Sequence, residues 1–398
     1  MTKDTIKKQK FLSVQRGSTP WVKNSESKHN KYIKAGEGNL FPQYLIDLYN
    51  NSSINAACIN AIVENIIGGG LTSNFDFALN KANNRGETWN DIFTKTAIDF
   101  YLHGAFSMEV IWSMDRSTIA EVYHIDYSHI RAKEKNYRGE IPAWFISSEW
   151  AKKGGLLLST DENVFEIPSY SPASKQDEPS QIYVSKNYRP GMEYYTLPVY
   201  NGALKVIELD KEVDNFHVNN IKNSLAPSLA ITTFTNGSDD EVAAVEAMLR
   251  ANYAGTNNAG SVMYMDVDSP ENAPKIEPIP NNGNDGYYET VNEMSMQKIL
   301  TAHRITSPLL LGIQQPGSLG NRNEMIDAML LFQYNVIAPL QQDILRCFET
   351  LLQVNYPDIV IGVETKQLYE DGRTEEEITT SVEVTDTEDS NINDETII

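Results

Sequence analysis

Residues 197–221, LPVYNGALKVIELDKEVDNFHVNNI, and residues 287–305, YYETVNEMSMQKILTAHRI, read as two long polar-apolar helices on either side of a small insertion. In the first, Val199, Ala203, Val206, Ile207, Val213 and Phe216 recur at helical spacing and are interleaved with Glu208, Asp210, Glu212 and Asp214. Pro198 stands at a tolerated first-turn position and is expected to open the helix. About 24 residues at 1.5 Å rise make a rod of roughly 35 Å.

Between the rods lies a compact unit. It is expected to hold a strand at 228–234, a turn at Asn236-Gly237, a helix over 238–253 and a strand at 261–267. Ser238 with Glu241 forms a capping box. The unit closes on APKIEPIPNNGNDG, a loop by composition. Beyond the second rod, ITSPLLLGI leads into QQPGSLGNRN (314–323), where Gly and Pro prevent a regular element. From Glu324 a last long helix runs to about Tyr356. Pro339 inside it removes a backbone bond and predicts a kink near residues 335–337.

Upstream, residues 42–68 carry helical periodicity that stops at Gly68-Gly69-Gly70. The triple glycine has no following lysine and no preceding strand, so it is a helix stop and not a phosphate loop. A second helix starts at the N-cap candidate Thr88 and ends at Gly104. The period then becomes two through AFSMEVIW, AEVYHID and short apolar runs near 141–146, 164–167 and 182–184, which predicts a mixed α+β domain.

The formal net charge is −21, which argues against tight non-specific binding to nucleic acid, because affinity for phosphates comes from Lys and Arg. The charge is uneven. Residues 1–35 are basic and residues 357–398 strongly acidic, and both ends, lacking apolar periodicity, are expected to be flexible or loosely docked. No apolar run is long enough to span a bilayer, and no secretory signal is expected. Cys58 and Cys347 are far apart in sequence and read as buried free thiols.

Catalytic motifs are missing: there is no phosphate-binding Gly-rich loop, nucleophile elbow, His-Glu-x-x-His or Cys-x-x-Cys. The segment HIDYSH offers His124, Asp126 and His129. On a period-two strand the first two share a face and His129 lies on the other, so no metal site is expected. His103 and His303, near helix ends, are expected to meet terminal carbonyls. No cofactor is expected and no catalytic residue stands out.

The order helix, insertion, helix, loop, proline-kinked helix from about Leu197 to Leu352 resembles the portal proteins of long-tailed phages. LPVYNGALKVIELDKEVDNF stands at the first stem helix of that family. The run from Leu225 to Asp266 is similar to its clip, and ETVNEMSMQKILTAHRITSPLLLGI to its second stem helix with the following turn. QYNVIAPLQQDILRCFETLL resembles its kinked helix, and HGAFSMEVIW part of its wing. Two features depart from the pattern. Arg304-Ile305-Thr306-Ser307 replaces the usual Phe-Gly-Val before the Pro-x-Leu-Leu-Gly turn, and the C-terminal crown is reduced or absent.

The resemblance implies an α+β portal-type fold with these parts: a basic N-terminal arm (1–35), a wing (36–196), stem helix 1 (197–224), a clip (225–283) and stem helix 2 (284–306). A wing return (307–356) with a tunnel loop (314–323) and an acidic tail (357–398) complete it. It further implies a ring, expected to be dodecameric, at the capsid vertex of the virion, assembled in host cytoplasm and passing double-stranded DNA without sequence preference. Implied partners are further copies of the chain, the terminase large subunit, the head–tail adaptor, and a major capsid or scaffold protein. Glu208, Glu212, Asp214, Glu289 and Glu293 either line the bore or form ordinary solvated helix faces. Gln314, Gln315, Asn321, Arg322 and Asn323 belong to the expected tunnel loop, where Arg322, its only cation, either touches DNA or pairs with a neighbouring subunit. Two other classes compete: another head structural or connector protein, and an enzyme with a cryptic site among the strands.

Overall fold

The computed structural model describes residues 28–175, 177–222, 229–233, 262–266, 285–305, 308–311 and 322–365. The first elements are a hairpin of β1 (Lys28–His29) and β2 (Tyr32–Ile33). It corrects the expectation of a loose arm through residue 35. Tyr32 is fully buried against Phe145 and Trp150, and its hydroxyl donates to the Leu157 carbonyl at 2.9 Å.

Two helices follow, α1 (Phe41–Asn51) and α2 (Ser53–Ile67), where periodicity alone predicts one. Ser52 makes the break. Its backbone is extended and its Oγ accepts from Asn55 N at 3.3 Å, so the hydroxyl starts a new helix instead of continuing the old one. The glycine stop after α2 has a second role. Gly68 lies at φ 55°, and a Cβ there would come within 2.5 Å of the Glu364 carbonyl oxygen. Gly69 N donates to that same oxygen at 2.7 Å. The glycines therefore admit a returning backbone as well as ending a helix.

Next come β3 (Leu71–Ser73) and α3 (Trp89–His103). Thr88 and Asp91 form a reciprocal capping box at the start of α3, and Gly104 closes its end at φ 77°. The strands β4 (Ala105–Trp112), β5 (Ile119–Ile125), β6 (Ile130–Ala132), β7 (Ala143–Ile146), β8 (Phe165–Pro168) and β9 (Ser180–Lys186) make two antiparallel sheets, ordered β5-β4-β9 and β6-β7-β8. Central β4 sends Phe106, Met108, Val110 and Trp112 into the helical core, while Ala105 enters a second cluster with Ile182 and Tyr195. That is the period-two alternation realised on a strand paired along both edges.

The chain then forms α4 (Leu204–Lys222), β10 (Leu229–Thr233), β11 (Val262–Asp266) and α5 (Asp285–Ala302). Pro198 does not open α4: its carbonyl closes a turn onto Asn201 N, a 3-10 turn fills 201–203, and the α-helix starts at Leu204. β10 and β11 pair in parallel over five residues. The helix expected over 238–253 and the turn at 236–237 lie outside the described residues.

The last helix is three pieces: α6 (Arg322–Phe332), a π-helical segment (Gln333–Ile337) and α7 (Ala338–Leu352). The widened turn falls where Pro339 predicts it, since the proline offers no N–H to the carbonyl four residues back. Finally β12 (Ile361–Val363) pairs antiparallel with β3. The acidic tail is thus part of the fold through residue 365, and the remainder lies outside the described residues.

The main core joins α1, α2 and α3 to β4, the start of α4, the end of α5, and α7. Phe348 on α7 is fully buried with its ring edge-on to Trp89 and Phe93 of α3, at 5.6 and 5.7 Å between centroids. Truncating such a side chain costs about 3–5 kcal/mol. The C-terminal helix is therefore a structural member of the N-terminal domain. Cys58 and Cys347 are both buried and free, and burial pushes the Cys58 thiol up to about 12. No helix among the described residues is long and apolar enough to cross a membrane.

Candidate functional site

The two rods lie side by side with opposite polarity, because the end of α5 meets the beginning of α4: His303 stacks on Tyr200 with 4.6 Å between ring centroids. Ile207, Val213, Val291, Ile299 and Leu300 are buried along the pair. Its outer surface is mixed. Leu209, Phe216, Val218 and Met294 are exposed, as are Glu212, Asp214 and Glu293.

The acidic candidates do not share one environment. Glu208 is half-buried and accepts from the Tyr44 hydroxyl of α1 at 3.3 Å, while Lys211 pairs with Asp47 of the same helix. That side of α4 is docked. At 100° per residue Asp214 points about 120° away from Glu208. Asp210, between them, is buried and takes a 2.7 Å hydrogen bond from Ser52 Oγ. Burial raises its carboxyl above the ordinary range. Glu289 and Glu293 are one turn apart on α5. Gln314, Gln315 and Asn321 lie outside the described residues. Arg322 and Asn323 are the first two residues of α6, so the predicted loop ends two residues early.

The rods are fastened to the domain by a buried hub that sequence reasoning missed. His303 Nδ1 is 3.0 Å from the Tyr101 hydroxyl of α3, and Nε2 is 3.0 Å from Asn55 Oδ1 of α2. Tyr200 donates to the Leu102 carbonyl at 2.9 Å. Burial lowers the His303 imidazole to about 3, so it is neutral. The expectation that His303 meets terminal carbonyls is therefore wrong: it bonds two side chains from different helices. His103 departs from the same expectation, since neither ring nitrogen has a hydrogen-bond partner.

Arg304 follows the hub at φ 60°, and its guanidinium donates to the Asn335 carbonyl at 3.0 Å. Asn335 is four residues before Pro339, so the arginine supplies a donor where the proline has none. Ile305 is buried in the core. Arg304, the first residue of that departure, thus ties the end of α5 to the kinked helix.

Arg131 was also missed, although a lone cation in the apolar run HIRA was a visible signal. It is fully buried, and its guanidinium donates to the Asn39 side chain at 2.6 Å and to the carbonyls of Asn39, Ser128 and Ile130 at 2.7–2.8 Å. It also lies 4.9 Å from the Trp150 ring.

A fold with these parts is shared by chains of phage-like particles. It resembles a chain in the virion of the native gene transfer agent (GTA) particle, with TM-score 0.53 and 13% identity, covering 89% of this chain and 92% of that one. A chain in the neck of the empty GTA particle, computed with C6 symmetry, gives 0.54 and 14% over 89% and 92%. The neck of the native particle, computed with C12 symmetry, gives 0.52 and 13% over 87% and 88%. No curated protein matches the sequence. The phage portal protein family model matches residues 72–383, and the chain belongs to that family.

Proposed function

We propose that the chain is one subunit of a ring of about twelve copies, a number supported by the fold it shares with a chain of a neck computed with C12 symmetry. The ring sits at one capsid vertex and conducts double-stranded DNA during packaging and ejection. The observation that carries this reading is the outer surface of the α4–α5 pair, where exposed apolar side chains lie among exposed carboxylates. A repeated head-to-tail interface around an axis would cover Leu209, Phe216, Val218 and Met294. Glu212, Asp214 and Glu293 would then face the bore, where carboxylates repel phosphates and leave the duplex free to slide. The insertion between the rods is the docking surface for the terminase large subunit, which hydrolyses the ATP, and afterwards for the head–tail adaptor. The basic N-terminal residues face a major capsid or scaffold protein. The loop ending at Asn321 lies nearest the DNA, with Arg322 beside it.

Negative-stain images of the purified protein test the assembly. Rings with a central hole and near-twelvefold symmetry are expected, and a monodisperse monomer at high concentration would sink the reading. The DNA path has its own test. Replacing Glu212 and Asp214 by Lys should leave rings intact and make packaging slower and more salt-dependent, because cations in the bore hold phosphates.

A further inference from the structure

α3 ends with two ligand-type side chains one turn apart, Asp99 and His103, both buried. Spacing of i, i+4 sets them on one helix face. β5 ends at Ile125, and the next residue, Asp126, caps a 3-10 turn by accepting from Ser128 N at 2.8 Å. The fold thereby brings one ligand-type atom from each of Asp99, His103 and Asp126 within 4.8 Å of one another. His103 is the independent sign that something belongs there. It is 2% exposed, and both ring nitrogens lack a hydrogen-bond partner. Native interiors rarely leave a buried polar ring in that condition.

We propose that Asp99, His103 and Asp126 bind a first-row divalent cation of the zinc type. One imidazole and two carboxylates form a donor set that suits such ions, whereas magnesium and calcium prefer oxygen alone. Tetrahedral ligand atoms about 2.1 Å from an ion lie roughly 3.4 Å apart, so side-chain shifts of up to about 1.4 Å complete the set. Asp99 is already oriented: its Oδ2 accepts from Tyr127 N at 2.9 Å and lies 2.9 Å from His124 Nε2, the kind of outer contact that positions a carboxylate ligand. Beside the His103 ring a cavity of about 20 Å³, bordered by Gly36, Pro42, Tyr127 and Met192, has room for one water. The ion would pin the end of the helix layer to the end of a sheet strand.

The test uses tag-free full-length protein stripped with EDTA, loaded with ZnCl2 and dialysed free of excess metal. About one zinc per subunit should be retained by elemental analysis. In ZnCl2 at about 100 times the dissociation constant, Tm should rise by roughly 3–5 °C. His103→Phe, which keeps the ring volume, and Asp126→Asn, which keeps an acceptor for Ser128, should each lose at least nine-tenths of the retained zinc and the whole Tm rise, with an unchanged circular dichroism spectrum. If His103→Phe fails to fold, the Asp126→Asn comparison decides. Absence of retained zinc in the wild type, or equal retention in Asp126→Asn, overturns the site.

Discussion

Arg131 shows how much one buried side chain can organise. Asn39, itself fully buried, sits at φ 63°, and the arginine satisfies both its side-chain and main-chain oxygens. Burial lowers the guanidinium to about 10, so it stays charged at neutral pH, compensated by carbonyl oxygens and an indole face instead of a carboxylate. Lysine carries a charge but not the planar fork that reaches Asn39, Ser128 and Ile130 together. Arg131→Lys should therefore cost about 2–4 kcal/mol in urea unfolding, read as a lower midpoint at unchanged m. A loss under about 0.5 kcal/mol would mean the network is not what holds the turn at Asn39 to the second sheet.

At the scale of the element, the kinked helix and the end of α5 share one bond. Arg304 reaches the Asn335 carbonyl because Pro339 cannot. A double-mutant cycle reads this directly. Arg304→Ala alone should cost on the order of 1 kcal/mol, and the same change in a Pro339→Ala background should cost less, since alanine restores a backbone donor there. Equal costs in both backgrounds would show the two residues to be independent. Ser52 offers a second case, since one hydroxyl caps α2 and also bonds Asp210 of α4. Ser52→Ala should lose about 1–3 kcal/mol in thermal or urea unfolding, more than the ~1 kcal/mol of an ordinary cap, because it also strands a buried carboxyl.

For the molecule as a whole, the joint between the rods and the domain should be acid-sensitive. His303 is neutral in the fold, with its pKa lowered to about 3 by burial, against an ordinary value near 6.5. A depressed folded value gives stability that is fully present above the unfolded pKa and is lost as pH falls toward the folded one. His103, also lowered by burial, acts in the same sense, while Asp210, raised by burial, acts in the opposite one. Between pH 7 and pH 4 the net should be a loss of up to ~3 kcal/mol, seen as a falling Tm. His303→Phe should flatten that slope, and an unchanged slope would place the acid sensitivity elsewhere.

Most of the element order was legible along the chain. The N-cap at Thr88, the Gly104 stop, the alternation in β4 and the Pro339 break are local effects, decided within a turn or a pleat, and each falls where its residues place it. Helix, insertion, helix, loop and kinked helix follow in turn from such signals, and they carried the family resemblance before any contact was known. Three-dimensional placement was decided by contacts between residues far apart in the chain. That Ser52 divides a helix, that Gly68 receives Glu364, and that Tyr32 and Ile361 belong to the fold depend on partners that periodicity does not name. The same limit applied at the sites. Glu208 and Glu212 look alike on α4 in the sequence, but the fold half-buries the first against Tyr44 and leaves the second exposed. HIDYSH lacked a metal-like arrangement along its own strand, and Asp126 gained Asp99 and His103 only when α3 folded onto the end of β5. Local propensity and hydrophobic spacing act over a few residues and are written in the chain; desolvation, charge pairing and ligand convergence arise only where the packed elements meet.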